Sequence, residues 1–438
     1  MITALLALIL SIAFVVYGTS KLKWPAFLVL LIASVFLAMA TGIAPTEIGP
    51  LLGEGFGKTV QSIGLLIVFG SIIGVALERS GATQKIAERM LAGLGRLPLP
   101  FTVGIIGYLV SIPVFCDSAF VILSALNKKL AKRSGISLVA LTIALSTGLF
   151  ATHVLLPPTP GPLAAAANLE LNDLGLLLVL GGIVAFLLML VGATYAYWLS
   201  KQVSLEIAQE IKSSQLDIED TARELPPLKL AVAPIVVPLL LIGLSSFSDH
   251  FQIDPTLALG IGMVLSFRLG RFDQDQKSSL STVVNKGIQT AAPILLITAM
   301  GGTLGLVISK LPLSEFLETF VVYPELGLLV PFIIAALLKT AQGSSTVAII
   351  TASAMVFPLL ETFGLNSDLG KTWVVIAVGV GSMTVSHAND SYFWIVSQFG
   401  NLTVKQAYRY HTFATLLQGT TGLILISLGY WLSNLFIR

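Results

Sequence analysis

Apolar stretches of about 20 residues, the length that carries a helix across a hydrocarbon core of roughly 30 Å, recur from Ile2 to Phe436 with only short charged or Pro/Gly-rich connections between them. A chain built this way takes the bilayer as its solvent. Of its 438 residues, 55% are apolar and 11% charged, against roughly a quarter charged in a soluble domain. A formal charge of +2 without any dense basic run points away from nucleic acid and acidic macromolecules as partners. The single cysteine, Cys116, excludes an internal disulfide and a cysteine-based zinc site. The first apolar segment has neither a basic leader nor an Ala-x-Ala site and reads as a retained helix.

Lysines and arginines in short loops orient the chain, because cytoplasmic loops are enriched in them. Segments near 2–19 and 25–43 flank Lys21 and Lys23, and an acidic connection with Glu47 and Glu54 follows. The amino terminus is therefore expected outside the plasma (inner) membrane of a bacterium. A third segment, near 59–78, leads to a cytoplasmic loop with Arg79, Lys85, Arg89 and Arg96. Residues 99–132 are apolar, begin and end beside basic residues, and are broken at Pro113 and Asp117. At ~1.5 Å per residue such a run is too short for two crossings. A re-entrant helical hairpin with its tip at 113–118 is expected instead. A helix near 137–156 then breaks at His153-Val-Leu-Leu-Pro-Pro-Thr-Pro-Gly-Pro162, where prolines deny the helix its donors, and segment 174–200 returns to the cytoplasm.

Residues 201–227 form one long polar stretch, read as a cytoplasmic linker between an N-terminal half, 1–200, and a C-terminal half, 228–438. In the second half, helices near 229–247, 256–268 and 288–309 precede a second hairpin candidate at 326–360 with its tip at 342–346. A broken helix near 372–390 and a last helix near 412–436 follow. The halves resemble each other internally: Gly70-Ser-Ile-Ile-Gly74 aligns with Gly301-Gly-Thr-Leu-Gly305, and Ser146–His153 with Val380–His387. The expected fold is an all-α polytopic membrane protein of two inverted-topology repeats, each with a re-entrant hairpin and a broken transmembrane helix.

Broken helices expose backbone ends that hold ions, and charged side chains within the membrane are expensive enough to mark function. Lys339 lies one helical turn before the second tip, where it could pair with a substrate carboxylate, or alternatively snorkel or balance a buried aspartate. Gln342, Gly343, Ser344, Ser345 and Thr346 form that tip, and their hydroxyls could donate to substrate or simply bond their own backbone. Asp117 at the first tip is the first choice of proton carrier and Asp390 the second. His153 and His387 occupy aligned positions in the broken helices, and with Pro157, Thr159, Gly161 and Asn389 they complete the candidate substrate site. No metal site and no cofactor are expected; the coupling ion would be a proton, with sodium as the alternative. The partners expected are a small organic anion and the lipid bilayer, and a homo-oligomer is left open. No His-Glu-x-x-His or Gly-x-Ser-x-Gly motif occurs, which speaks against an intramembrane enzyme.

Phe56-Gly-Lys-Thr, Leu156-Pro-Pro-Thr-Pro-Gly-Pro162, Ala341-Gln-Gly-Ser-Ser-Thr-Val-Ala348 and Ser386-His-Ala-Asn-Asp-Ser-Tyr-Phe-Trp394 together resemble the gluconate permease family of bacterial proton symporters. The resemblance covers most of the chain. It implies a midplane anion site at the hairpin tips and broken helices, moved by an elevator-like motion. Cys116-Asp117 and Lys339 stand where the family pattern has a Tyr-Glu pair and an arginine, each keeping its charge. Because lysine and arginine grip a carboxylate differently, the resemblance leaves gluconate, fructuronate, glycerate and D-serine open as substrates.

Overall fold

The computed structural model of the chain describes residues 2–94, 96–202, 225–247, 252–272, 280–310, 327–388 and 390–436, and every regular element among them is helical. Helices α1 (Ile2–Ser20) and α2 (Ala26–Ala40) lead into α3 (Pro45–Arg79), a 35-residue helix bent by 48° between Pro45–Ser62 and Gly64–Arg79. The acidic connection expected at Glu47 and Glu54 is therefore the first half of α3. Glycines at 49, 53, 55 and 57 dilute its apolar pattern, while Pro45 at the first turn starts a helix rather than stopping one. The basic loop that follows contains a further short helix, α4 (Ala82–Gly93).

Helices α5 (Leu99–Val110) and α6 (Cys116–Ser134) flank a turn at 111–115, where the first hairpin is expected, but each packs on the following helix, Leu138–Leu155, rather than closely on the other. With 12 residues, α5 is about 18 Å long, well short of the roughly 30 Å hydrocarbon core. It reaches halfway. The tip falls earlier than the expected 113–118, because Phe115 serves as N-cap and Cys116-Asp117 begin α6. Next come α7 (Leu138–Leu155) and α8 (Pro160–Asn168), separated at 156–159 by Pro157-Pro158 and restarted by Pro160 in the first turn. The most apolar window of this broken span, Leu138–Asn168, is 100% buried inside the protein, so it is a core element rather than a lipid-facing one. Its lack of any polar face agrees with that position.

After α9 (Leu174–Gln202), residues 203–224 of the expected linker lie outside the described residues. Helices α10 (Leu228–Phe247), α11 (Pro255–Ser266) and α12 (Leu280–Ser309) follow. The second hairpin is α13 (Leu329–Gln342) and α14 (Ser345–Val356), of 14 and 12 residues and again about half a crossing each. Then α15 (Asp368–Met383) ends in an irregular stretch, 384–388, before α16 (Ser391–Phe399) and the final helix α17 (Phe413–Phe436).

Small residues let these helices approach closely. A Cβ on Gly55 of α3 would sit 2.7 Å from the Thr303 Cα of α12, and one on Gly107 of α5 would sit 2.9 Å from the Leu145 carbonyl of α7. Where α3 passes the turn between α5 and α6, a Cβ on Gly74 would meet the Pro113 carbonyl at 2.8 Å.

Candidate functional site

Each interruption is written in the residues that make it. Gly343 ends α13 with φ +86°, the left-handed conformation that glycine adopts without penalty, and its N–H closes the turn on the Lys339 carbonyl. Ser344 then caps α14, its hydroxyl accepting from the Val347 N–H at 3.3 Å. In the second broken helix, Val385 takes φ +59°, an uncommon place for a β-branched residue. Such a residue persists only where its surroundings hold it: the Ser386 N–H donates to Thr415 Oγ1 at 2.9 Å, and the Ser386 carbonyl accepts from Thr412 at 2.6 Å.

Asp390 is the N-cap of α16, accepting from the Tyr392 N–H at 3.0 Å on Oδ1. A negative charge there also suits the helix dipole. Its other oxygen, Oδ2, lies 2.6 Å from Lys339 Nζ and accepts from Ser386 Oγ at 2.5 Å. Lys339 donates as well to the Gly343 carbonyl at 3.1 Å and stands 5.5 Å from the centre of the Phe150 ring. The lysine and aspartate side chains are 1% and 3% exposed. A charge pair this deep is tolerable only with its remaining bonds satisfied, and here each partner has further contacts.

Asp117 in the first turn of α6 lies within electrostatic reach of both Asp390 and Lys339, as does His153 of α7. The Phe115 ring at the first tip is 6.1 Å from the His153 ring, and Phe120 of α6 is 6.1 Å from Tyr392 of α16. Helices α6, α7, α13 and α16 thus come together around one buried ion pair. His153 Nδ1 is buried with no hydrogen-bond partner among the described residues.

Other expected residues are placed differently. His387 Nε2 lies 3.2 Å from the Thr340 carbonyl, in the irregular stretch beyond α15, whereas His153 sits in the last turn of α7. The two aligned histidines are therefore not structural equivalents. Prolines end α7 two residues after its histidine, while α15 unwinds four residues before its own. Thr159 bonds the Leu156 carbonyl and caps α8. A Cβ on Gly70 of α3 would meet the Pro158 carbonyl at 3.2 Å, and one on Gly161 would meet Ile349 at 2.9 Å, so the Pro157–Gly161 break packs on α3 and α14. Ser345 is buried and Thr346 half-buried at the start of α14; Gln342 ends α13; Asn389 lies outside the described residues.

A cavity of about 540 Å³ opens elsewhere, lined by Lys58, Thr59, Asn168, Glu170 and Thr256 among others and by none of the expected site residues. The ion pair sits in a closed, packed region, so we take the chemistry there as the better guide to function than open volume. Ser386, Tyr392 and His411 were not among the expected site residues; the first two lie inside the Ser386–Trp394 motif and were legible from it, while His411 had no sequence context.

Comparison with known proteins follows the same line. The GntP family permease pattern matches residues 3–431. An uncharacterized permease of Haemophilus influenzae is 33% identical over 90% of this chain and 85% of its own, and a gluconate permease of Zymomonas mobilis is 29% identical over 96% of both. Among solved structures, the YdaH transporter of Alcanivorax borkumensis superposes with a TM-score of 0.60 at 16% identity, covering 88% of this chain and 89% of that one; at that identity the likeness speaks for the fold alone. The fold and these relatives define an integral membrane permease, not an enzyme. The chain belongs to the GntP permease family.

Proposed function

We propose that the protein imports gluconate, or a related sugar acid or small hydroxy-acid anion, by proton symport across the bacterial inner membrane, with its amino terminus outside. The observation that carries this reading is the buried Lys339–Asp390 pair, around which helices α6, α7, α13 and α16 come together. Such a site offers an anion one cation, a set of hydroxyls and two carboxyls able to take a proton, Asp117 and Asp390. His153 Nδ1, buried and without a partner among the described residues, adds a group that a substrate hydroxyl would satisfy. The name of the Zymomonas relative supports gluconate as the first substrate to try.

The recurrence of one element order, long helix, helix pair joined by a tight turn, broken helix and long helix, in α3–α9 and again in α12–α17 supports two inverted repeats. Alternating access then moves the helix pairs and broken helices past the long helices. Uptake of labelled gluconate into proteoliposomes, with proton and sodium gradients imposed separately, tests the reading. Accumulation driven by an inward proton gradient, with the label recovered as intact gluconate, is expected. Accumulation driven by sodium alone, or no accumulation against a gradient, would refute proton symport.

A further inference from the structure

His411 is fully buried, at 0% exposure, in a π turn (Ala407–Thr412) that leads into α17. Such turns are rare and occur frequently at functional sites. Both its ring nitrogens face hydroxyls: Nε2 is 3.2 Å from Ser386 Oγ, and Nδ1 is 3.4 Å from Ser146 Oγ. Ser386 gives its own proton to Asp390 Oδ2 at 2.5 Å. Its oxygen is therefore left to accept from the His411 Nε2–H, which makes Nδ1 the acceptor of the neutral ring. The Ser146 hydroxyl has two acceptors in reach, this nitrogen and the Ile143 carbonyl at 3.1 Å. Asp390, Ser386, His411 and Ser146 form an unbroken file through the protein core.

The ion pair itself supplies the reason for such a file. Lys339 and Asp390 together are neutral, so a substrate carboxylate entering beside them adds an uncompensated negative charge where the medium tolerates none. Lys339 can serve the substrate only if Asp390 gives up its charge. We propose that the substrate carboxylate takes the place of Asp390 on Lys339, and that Asp390 receives the coupling proton from His411 through Ser386. The inference rests on the proton-symport reading above and deepens it.

The step balances. The Nε2 proton passes to Ser386 Oγ as the Ser386 hydroxyl proton passes to Asp390 Oδ2, leaving the hydroxyl restored. The ring stays neutral because Nδ1 takes the Ser146 hydroxyl proton and Ser146 takes the coupling proton from hydronium; once substrate has left, the empty carrier reverses each transfer, so substrate can exchange while Asp390 keeps its proton. His411 and Ser386 act through Asp390, as positioning and relay residues. The groups facing this file are Lys339 of α13, Cys116 and Asp117 of α6, His153 of α7 and Tyr392 of α16, whose ring is 5.6 Å from His411. Asp117 is the rival acceptor for the proton.

Proteoliposomes separate relay from structure, because gluconate counterflow exchanges substrate without net proton movement whereas accumulation needs it. His411→Gln and Ser386→Ala are expected to lower the ratio of proton-driven accumulation to counterflow by at least about tenfold and to flatten its pH profile. Ser386→Thr, which keeps the hydroxyl, is expected to restore the ratio. Three outcomes overturn the relay: a wild-type ratio and pH profile in His411→Gln and Ser386→Ala; equal loss of both activities in those variants with no rescue by threonine; or a lowered ratio in Asp117→Asn alone. A wild-type protein that shows counterflow but ignores the proton gradient would remove the symport reading itself, and the relay with it.

Discussion

A lysine ammonium at 1% exposure is held in the core by Asp390, by the Gly343 carbonyl and by the face of Phe150. Removing one partner strands the other, so Lys339→Met or Asp390→Leu alone is expected to cost about 3–5 kcal/mol of stability. The double variant, which leaves no stranded charge, is expected to recover much of that loss. Thermal unfolding of the detergent-purified proteins measures both, and additive losses in the double variant would show that the two residues do not act as a pair. Asp117→Asn, by contrast, removes a carboxyl that the Cys116 thiol approaches at 3.8 Å, and should leave the melting temperature close to wild type. At this scale the sequence disclosed the participants but not their pairing. Charge inside an apolar run marks Lys339, Asp117 and Asp390 on its own; that Lys339 meets Asp390 depends on α13 ending against the irregular stretch after α15, 51 positions further on. His411 was illegible because a histidine near the basic end of a last helix looks like an ordinary end residue, and only the π turn aims its ring at Ser386.

The interruptions are held by backbone conformation, and Gly343 at the second tip shows how. Gly343 adopts φ +86° and presents its carbonyl to Lys339. Gly343→Ala places a Cβ in the left-handed region at a cost of roughly 1–2 kcal/mol. It is expected to raise the KM for gluconate more than it lowers the counterflow maximum, because the carbonyl that orients the lysine shifts; an unchanged KM would detach this turn from the site. Helix existence and most boundaries were legible from apolar runs and prolines, since α7 stops at Leu155, just ahead of Pro157, and α13 at Gln342, just ahead of Gly343, as those residues dictate. The first half of α3 was missed because glycines and two glutamates mask a helix whose stability comes from packing on α12 rather than from its own pattern. The unwinding of α15 near Met383, four residues before His387, has no proline to announce it and follows instead from bonds to Thr412 and Thr415.

On the scale of the whole molecule, long helices α3 and α12 cross each other through glycine, and the shorter helices and broken helices gather beside them. Lys58 of α3 bonds Glu170, just past α8, at 2.5 Å, so this exposed pair spans the boundary that an elevator-like motion would have to shear. Screening by solvent makes the pair too weak to lock the boundary, but its position makes it a useful reporter. In a Lys58→Cys/Glu170→Cys variant, a short disulfide-forming bifunctional reagent is expected to stop counterflow and a reductant to restore it. Full transport by the cross-linked protein would place the moving boundary elsewhere.

The most direct measurement is a structure of the protein bound to gluconate. The expected result is the gluconate carboxylate within hydrogen-bonding distance of Lys339 Nζ, beside the Gly343 turn, with Asp390 displaced from the lysine and still capping α16. Gluconate bound in the cavity lined by Lys58 and Asn168, with the 2.6 Å Lys339–Asp390 pair intact, would contradict it.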